Sequence, residues 1–159
     1  MKQKSLSVWL KIIIIGVGIC GLVCDLLVIP ELGISAAGND PALTRMYLPW
    51  LIFAWVCSLP CYAALVLSWL ITRNIGRDRS FSLENARYMK YISVLAGGDT
   101  ALFFIVDVIY FLLGMSHPGV LILSLLVVFI GVAVSVAAAV LSHLIAKAAD
   151  LQDQSDLTI

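Results

Sequence analysis

The sequence predicts an all-α polytopic membrane protein: one four-helix domain that crosses the bilayer four times, with both chain ends in the cytoplasm. Three observations predict it. Of the 159 residues, 62% are hydrophobic and only 13% charged, where soluble domains carry about 25%, and mean hydropathy is +1.04. A water-soluble core of this size has no room for that much apolar surface, so the bilayer must be its solvent. The apolar residues also fall into four runs, each long enough for a helix to cross roughly 30 Å of hydrocarbon, which takes about 20 residues. Finally, nine of the ten basic residues fall at the start of the chain, between the second and third runs, or after the fourth.

The first run covers 8–29. Lys2 and Lys4 before it and Ser35-Ala36-Ala37 after it imitate a secretion signal. The run is longer than the roughly 7–15 apolar residues of such a signal, so it is expected to be retained. Pro30 is expected to end this helix, because proline has no N–H to give and crowds the preceding turn. The second run is 48–72. Asn39-Asp40-Pro41 ahead of it reads as a cap followed by proline at the first helical position, which predicts a short outer helix before the span. The third run is 91–114. Ser82 is placed to cap its helix and Glu84 falls in the first turn, so this helix should begin inside the 73–90 loop and run straight into the membrane. The fourth run, 120–146, follows the tight turn Met115-Ser116-His117-Pro118. Its helix should continue a turn or two into the 147–159 tail and then fray. The runs lack the alternation of barrel strands, and backbone in lipid must be satisfied within its own segment, which leaves helices.

Orientation follows from charge. Lys2, Lys4 and Lys11 open the first helix; Arg73, Arg77, Arg79, Arg87 and Lys90 lie between the second and third; Lys147 follows the fourth; only Arg45 falls on the other side. Short loops rich in Lys and Arg stay in the cytoplasm. Trp9, Tyr47, Trp50 and Trp69 sit near span ends, as an aromatic belt requires. Net charge is zero, so no global field points to direct nucleic-acid binding.

Three carboxylates interrupt the apolar runs: Asp25, Asp99 and Asp107. A charge in hydrocarbon costs roughly 2.5–3.5 kcal/mol on insertion scales, so such residues are functional candidates by default. Asp25 is expected a few residues from the outer end of helix one, Asp99 about two turns in from the cytoplasmic face, and Asp107 near the midplane. Tyr110, one turn beyond Asp107, is its candidate hydrogen-bond partner. No Lys or Arg lies deep enough to pair with these acids, which favours neutral carboxyls. They fit either a proton or ion relay through Asp99 and Asp107, or hydrogen-bonded acids that fix helix packing.

Cys20/Cys24 and Cys57/Cys61 are i, i+4 pairs. Converging, they would suit a soft metal; apart, they are small apolar contacts. Gly131, Ser135 and Ala139, like Gly16, Cys20 and Cys24, form small-residue rows for close helix contact, either within the chain or in a homo-oligomer. The basic 73–90 loop would suit anionic headgroups or an acidic partner. No phosphate loop, nucleophile–base constellation or zinc spacing is present, so no cofactor or enzymatic activity is expected.

Two segments carry a resemblance. Phe81-Ser82-Leu83-Glu84-Asn85-Ala86-Arg87-Tyr88-Met89-Lys90-Tyr91-Ile92 and the tail ending Asp150-Leu151-Gln152-Asp153-Gln154-Ser155-Asp156-Leu157-Thr158-Ile159 resemble the bacterial membrane family called domain of unknown function 2975. The resemblance implies four helices in the bacterial cytoplasmic membrane and no catalytic residues. Members are often encoded beside a small helix-turn-helix regulator. This implies a regulatory membrane protein that contacts a cytoplasmic transcription regulator through Phe81, Ser82, Glu84, Asn85, Arg87, Asp150, Asp156, Leu157 and Thr158. Asp150, Asp153 and Asp156 are placed to meet Arg77, Arg79 or Arg87 reversibly.

Overall fold

The computed structural model describes residues 3–38, 41–116 and 118–156. They form α1 (Gln3–Val23), a π-helical turn (Cys24–Val28), α2 (Ile29–Ala37), α3 (Pro41–Ile75), α4 (Leu83–Leu112) and α5 (Pro118–Asp156). Four helical rods are long and apolar enough to cross a membrane: Lys4–Ser35, Thr44–Ile75, Leu83–Leu112 and Pro118–Ser155. Asn39, Asp40, His117, Leu157 and Thr158 lie outside the described residues.

Pro30 does not end the first rod. The chain passes it through the π-turn, in which the Ile29 N–H bonds to the Cys24 carbonyl, five residues back. The wider turn gives the proline ring room beside the carbonyl it would otherwise strike, and helix continues to Ala37. Asp25 is therefore twelve residues from the end of α2, not the few expected. The expected outer helix before the second span is also not separate, because α3 runs unbroken from Pro41 to Ile75 through Pro49 and Pro60.

Ser82 caps α4 as expected: its backbone is extended and its side chain accepts from the Asn85 N–H at 3.2 Å. The other end of α4 closes on Gly114 at φ 69°. There the Met115 N–H reaches the Tyr110 carbonyl and the Gly114 N–H reaches that of Phe111, a Schellman closure that needs the left-handed residue glycine supplies. The C-terminus of α3 closes in the same way on Asp78 at φ 59°, with the Arg79 N–H on Asn74 and the Asp78 N–H on Ile75. α5 stays helical to Asp156, and Ala149 is still buried. The tail is thus an extension of the helix for three turns past the expected span.

Among the described residues the rods pack in chain order. α1 packs against α3, α2 against α3, α3 against α4, and α4 against α5; α1 reaches neither α4 nor α5. The result is an open row. Its largest contact is α4 on α5, where polar groups and glycines set the approach. Ser93 Oγ donates to the Ser135 carbonyl at 2.8 Å, and Ser135 Oγ returns the bond to the Ser93 carbonyl at 2.9 Å. Ser142 Oγ reaches the Ala86 carbonyl at 2.7 Å. Gly131 and Ser135 of the expected row therefore make an internal contact, but Ala139 is exposed and Ala138 is buried in its place. On α1, by contrast, nothing comes within 4 Å of where a Gly16 side chain would begin, and Cys20 is exposed.

Candidate functional site

Because α1 and α4 both lean on α3 while their backbones stay apart, a gap remains between them. It is a cavity of about 410 Å³. Asp25 from the π-turn, Asp99 from α4, and Cys61 and Tyr62 from α3 line it together with Cys24, Pro60 and apolar side chains such as Val17, Leu65, Ile92 and Val134. At about 1.5 Å per residue, Asp25 lies roughly 21 Å along its helix from Lys11, and Asp99 roughly 14 Å from Lys90. Both carboxylates thus lie within helices long and apolar enough to cross a membrane, well away from those lysines.

Each acid is held differently. Tyr62 Oη donates to Asp25 Oδ2 at 2.7 Å, and Gly21 leaves space for that hydroxyl, which would lie 3.3 Å from a Cβ there. The Asp25 backbone is held as well. Its carbonyl has lost both helical donors, since the Ile29 N–H goes to Cys24 and Pro30 has none. The Trp55 indole N–H takes their place at 3.0 Å. Pro30 thus fixes Asp25 indirectly, through the turn it imposes. Asp99 lies near the Cys57 thiol, and its Oδ1 is buried with no partner. A half-buried acid that lines a mostly apolar cavity and has an unsatisfied oxygen is a candidate site for a proton, a cation or a hydrogen-bond donor.

Asp107 is not part of this cavity. It is fully buried and bonded to Ser124 of α5, while Ser124 Oγ also faces the Leu121 carbonyl at 2.7 Å. The other Asp107 oxygen, Oδ1, is buried without a partner, as Asp99 Oδ1 is. Tyr110 is not its partner. The tyrosine hydroxyl turns to the Pro49 carbonyl of α3 at 3.3 Å, and its ring joins Trp50 and Phe53, with centroids 4.8 and 5.9 Å away. Asp107 therefore joins α4 to α5, and the acid that shares Asp99's cavity is Asp25.

The cysteines converge only in part. Cys24 and Cys61 share the cavity and Cys57 neighbours Asp99. No group of three or more His, Cys, Asp or Glu side chains placed to hold a metal occurs among the described residues.

At the end carrying both chain termini, the Phe81 to Arg87 motif is largely structural. Asn85 is 0% exposed. Its Oδ1 accepts from Asn74 Nδ2 at 2.8 Å, and its Nδ2 donates to the carbonyls of Arg79 and Ser80, each at 3.0 Å. Ser82 is occupied as the cap, and Glu84 accepts from Tyr88 Oη at 2.7 Å. Asn85 is therefore unavailable to a partner. Phe81, Arg87 and Asp150 are exposed. Asp156 closes α5, and Leu157 and Thr158 lie outside the described residues.

Sequence reasoning missed Tyr62, Trp55, Asn74 and Ser124. Tyr62 carried one signal, a tyrosine in mid-span away from the aromatic belt.

Four membrane-length helices with an acid-lined gap among them define a multi-pass integral membrane protein. The chain belongs to the family described as Protein of unknown function (DUF2975), whose model matches residues 31–159. It is similar to the Uncharacterized membrane protein YoaS of Bacillus subtilis (strain 168), with 26% identity over 159 residues that cover 99% of each chain. No solved structure matches it.

Proposed function

We propose that the protein is a non-enzymatic membrane protein that binds a lipid-soluble cation, or a proton-donating amphiphile, in the cavity between Asp25 and Asp99. The observation that carries this reading is that two carboxylates, Asp25 and Asp99, line one mostly apolar cavity, and that Asp99 also has a buried oxygen without a partner. A guest with an apolar body and one cationic or N–H-bearing end matches both features. The reading keeps Asp99 from the sequence-based relay and replaces Asp107 with Asp25.

The probe is tetraphenylphosphonium, with binding to the purified full chain measured by equilibrium dialysis. Asp25→Asn and Asp99→Asn are each expected to weaken binding by about tenfold or more, as truncating one partner of a desolvated charge contact does. Asp107→Asn should bind as wild type, since it changes an acid outside the cavity. Equal binding by all four proteins would end this reading.

A second reading, regulation through a cytoplasmic partner, is favoured by the exposure of Phe81 and Leu151, 59% and 58%, at the end where α5 outruns its expected span. Such apolar residues beside exposed Asp150 and Asp153 suit a protein contact of mixed character. Native co-purification compares wild type with a chain truncated after Ala149. This reading expects a helix-turn-helix regulator with wild type and its loss on truncation. No DNA-binding protein with either chain would exclude it.

A further inference from the structure

A second cleft, of about 380 Å³, opens between the start of α1 and the end of α3, at the end of the molecule that carries both termini. Lys4, Ser7 and Lys11 stand at i, i+3 and i+7, one stripe of α1. Arg73 stands in the last turn of α3 and Arg77 in the turn that closes it, with Gly76 between them. Among the described residues the walls thus hold four cations and no carboxylate.

The cleft is built by buried contacts. Ser7 is 3% exposed, and its hydroxyl donates to the Thr72 carbonyl at 2.9 Å. Gly76 lets the two helices meet, because a Cβ there would stand 2.8 Å from Ser7 Oγ. The depth of the cleft is marked too: the Lys11 ammonium lies 5.5 Å from the centre of the Trp69 ring, and tryptophan prefers the headgroup level of the bilayer. The positive-inside rule accounts for basic residues on this side, but Arg79 and Lys90 meet it from outside the cleft. Four like charges gathered in one cleft repel one another, and a seated anion relieves that repulsion.

We propose that this cleft binds the phosphate of an anionic phospholipid headgroup. Free phosphate shares the chemistry, but the depth set by Trp69 and the apolar wall at Val8 favour a phosphate attached to acyl chains.

The test uses the full chain in a neutral detergent, titrated with short-chain phosphatidylglycerol, with phosphatidylcholine and with inorganic phosphate. Bound lipid is read by native mass spectrometry. Near-surface basic residues contribute roughly fivefold each to anionic-lipid affinity, so Lys4→Gln/Lys11→Gln and Arg73→Gln/Arg77→Gln should each lower phosphatidylglycerol binding by about thirtyfold. Phosphatidylcholine binding should be unchanged in both. Arg79→Gln/Lys90→Gln, outside the cleft, should retain phosphatidylglycerol, and Arg73→Lys/Arg77→Lys, which keeps the charge, should bind it nearly as wild type does. Equal losses in the cleft pairs and in Arg79→Gln/Lys90→Gln would show diffuse attraction and overturn the proposal. So would equal losses in the Gln and Lys forms of the arginine pair. Displacement of the lipid by equimolar inorganic phosphate would overturn the headgroup assignment.

Discussion

Asn85→Asp is expected to destabilise the protein more than Asn85→Ala, although aspartate is nearly the same shape as asparagine. Asn85 is fully buried and works in both directions, accepting from Asn74 through Oδ1 and donating from Nδ2 to the carbonyls of Arg79 and Ser80. Alanine leaves those three groups unpaired, a loss of about 2–3 kcal/mol. Aspartate keeps the bond from Asn74 but turns an acceptor oxygen toward two carbonyl oxygens and buries an uncompensated charge, so its cost should reach about 3–5 kcal/mol. Denaturant unfolding in detergent micelles at neutral pH gives the comparison. An Asn85→Asp protein as stable as Asn85→Ala would mean that the two donated bonds do not organise the loop.

Gly131→Ala should separate α4 from α5. A methyl group at Gly131 would overlap the Thr100 side chain, and Thr100 cannot readily turn aside because its hydroxyl is bonded to the Ala96 carbonyl at 2.6 Å. Overpacking of this kind typically costs about 1–3 kcal/mol. The companion change Thr100→Ala should recover most of the loss by removing the obstructing atoms. Gly98→Ala, on α4 with nothing within 4 Å of its would-be Cβ, should be neutral or should stabilise by up to about 1 kcal/mol, because it only removes glycine's backbone freedom. The same unfolding assay reads all three. If Gly98→Ala were the more damaging of the two glycine changes, the assigned helix contact would be wrong.

Much of the fold could be read in the sequence, because hydrocarbon leaves a helix few alternatives. The four runs, the Ser82 cap and the continuation of α4 from loop into membrane followed from local rules. Pro30 did not. A rule about straight helices says that proline stops one, and nothing local shows that a wider turn will absorb it.

The site was half legible for a related reason. Asp25, Asp99 and Asp107 stood out by cost alone, but which two share a cavity depends on helix order, which periodicity does not carry. Pairing Asp107 with Tyr110 favoured a neighbour on the same helix over Ser124 and Pro49 on adjacent ones. Asn85 looked like a surface residue in a loop motif. Its burial depends on Asn74, eleven residues earlier, across a turn whose closure at Asp78 no local pattern announced.

The open row bears on how the protein is made. Among the described residues every helix contact joins a rod to the one synthesised just before it, and no contact between first and last has to close a ring. Helices that insert one after another can then dock in the order in which they emerge. Each finds its seat already in place, and the contacts formed span the short sequence separations that favour rapid assembly. The best-packed pair, α4 with α5, is also the last to be made. The final step of biogenesis is therefore the one that most firmly secures the chain, and none of the earlier steps depends on it.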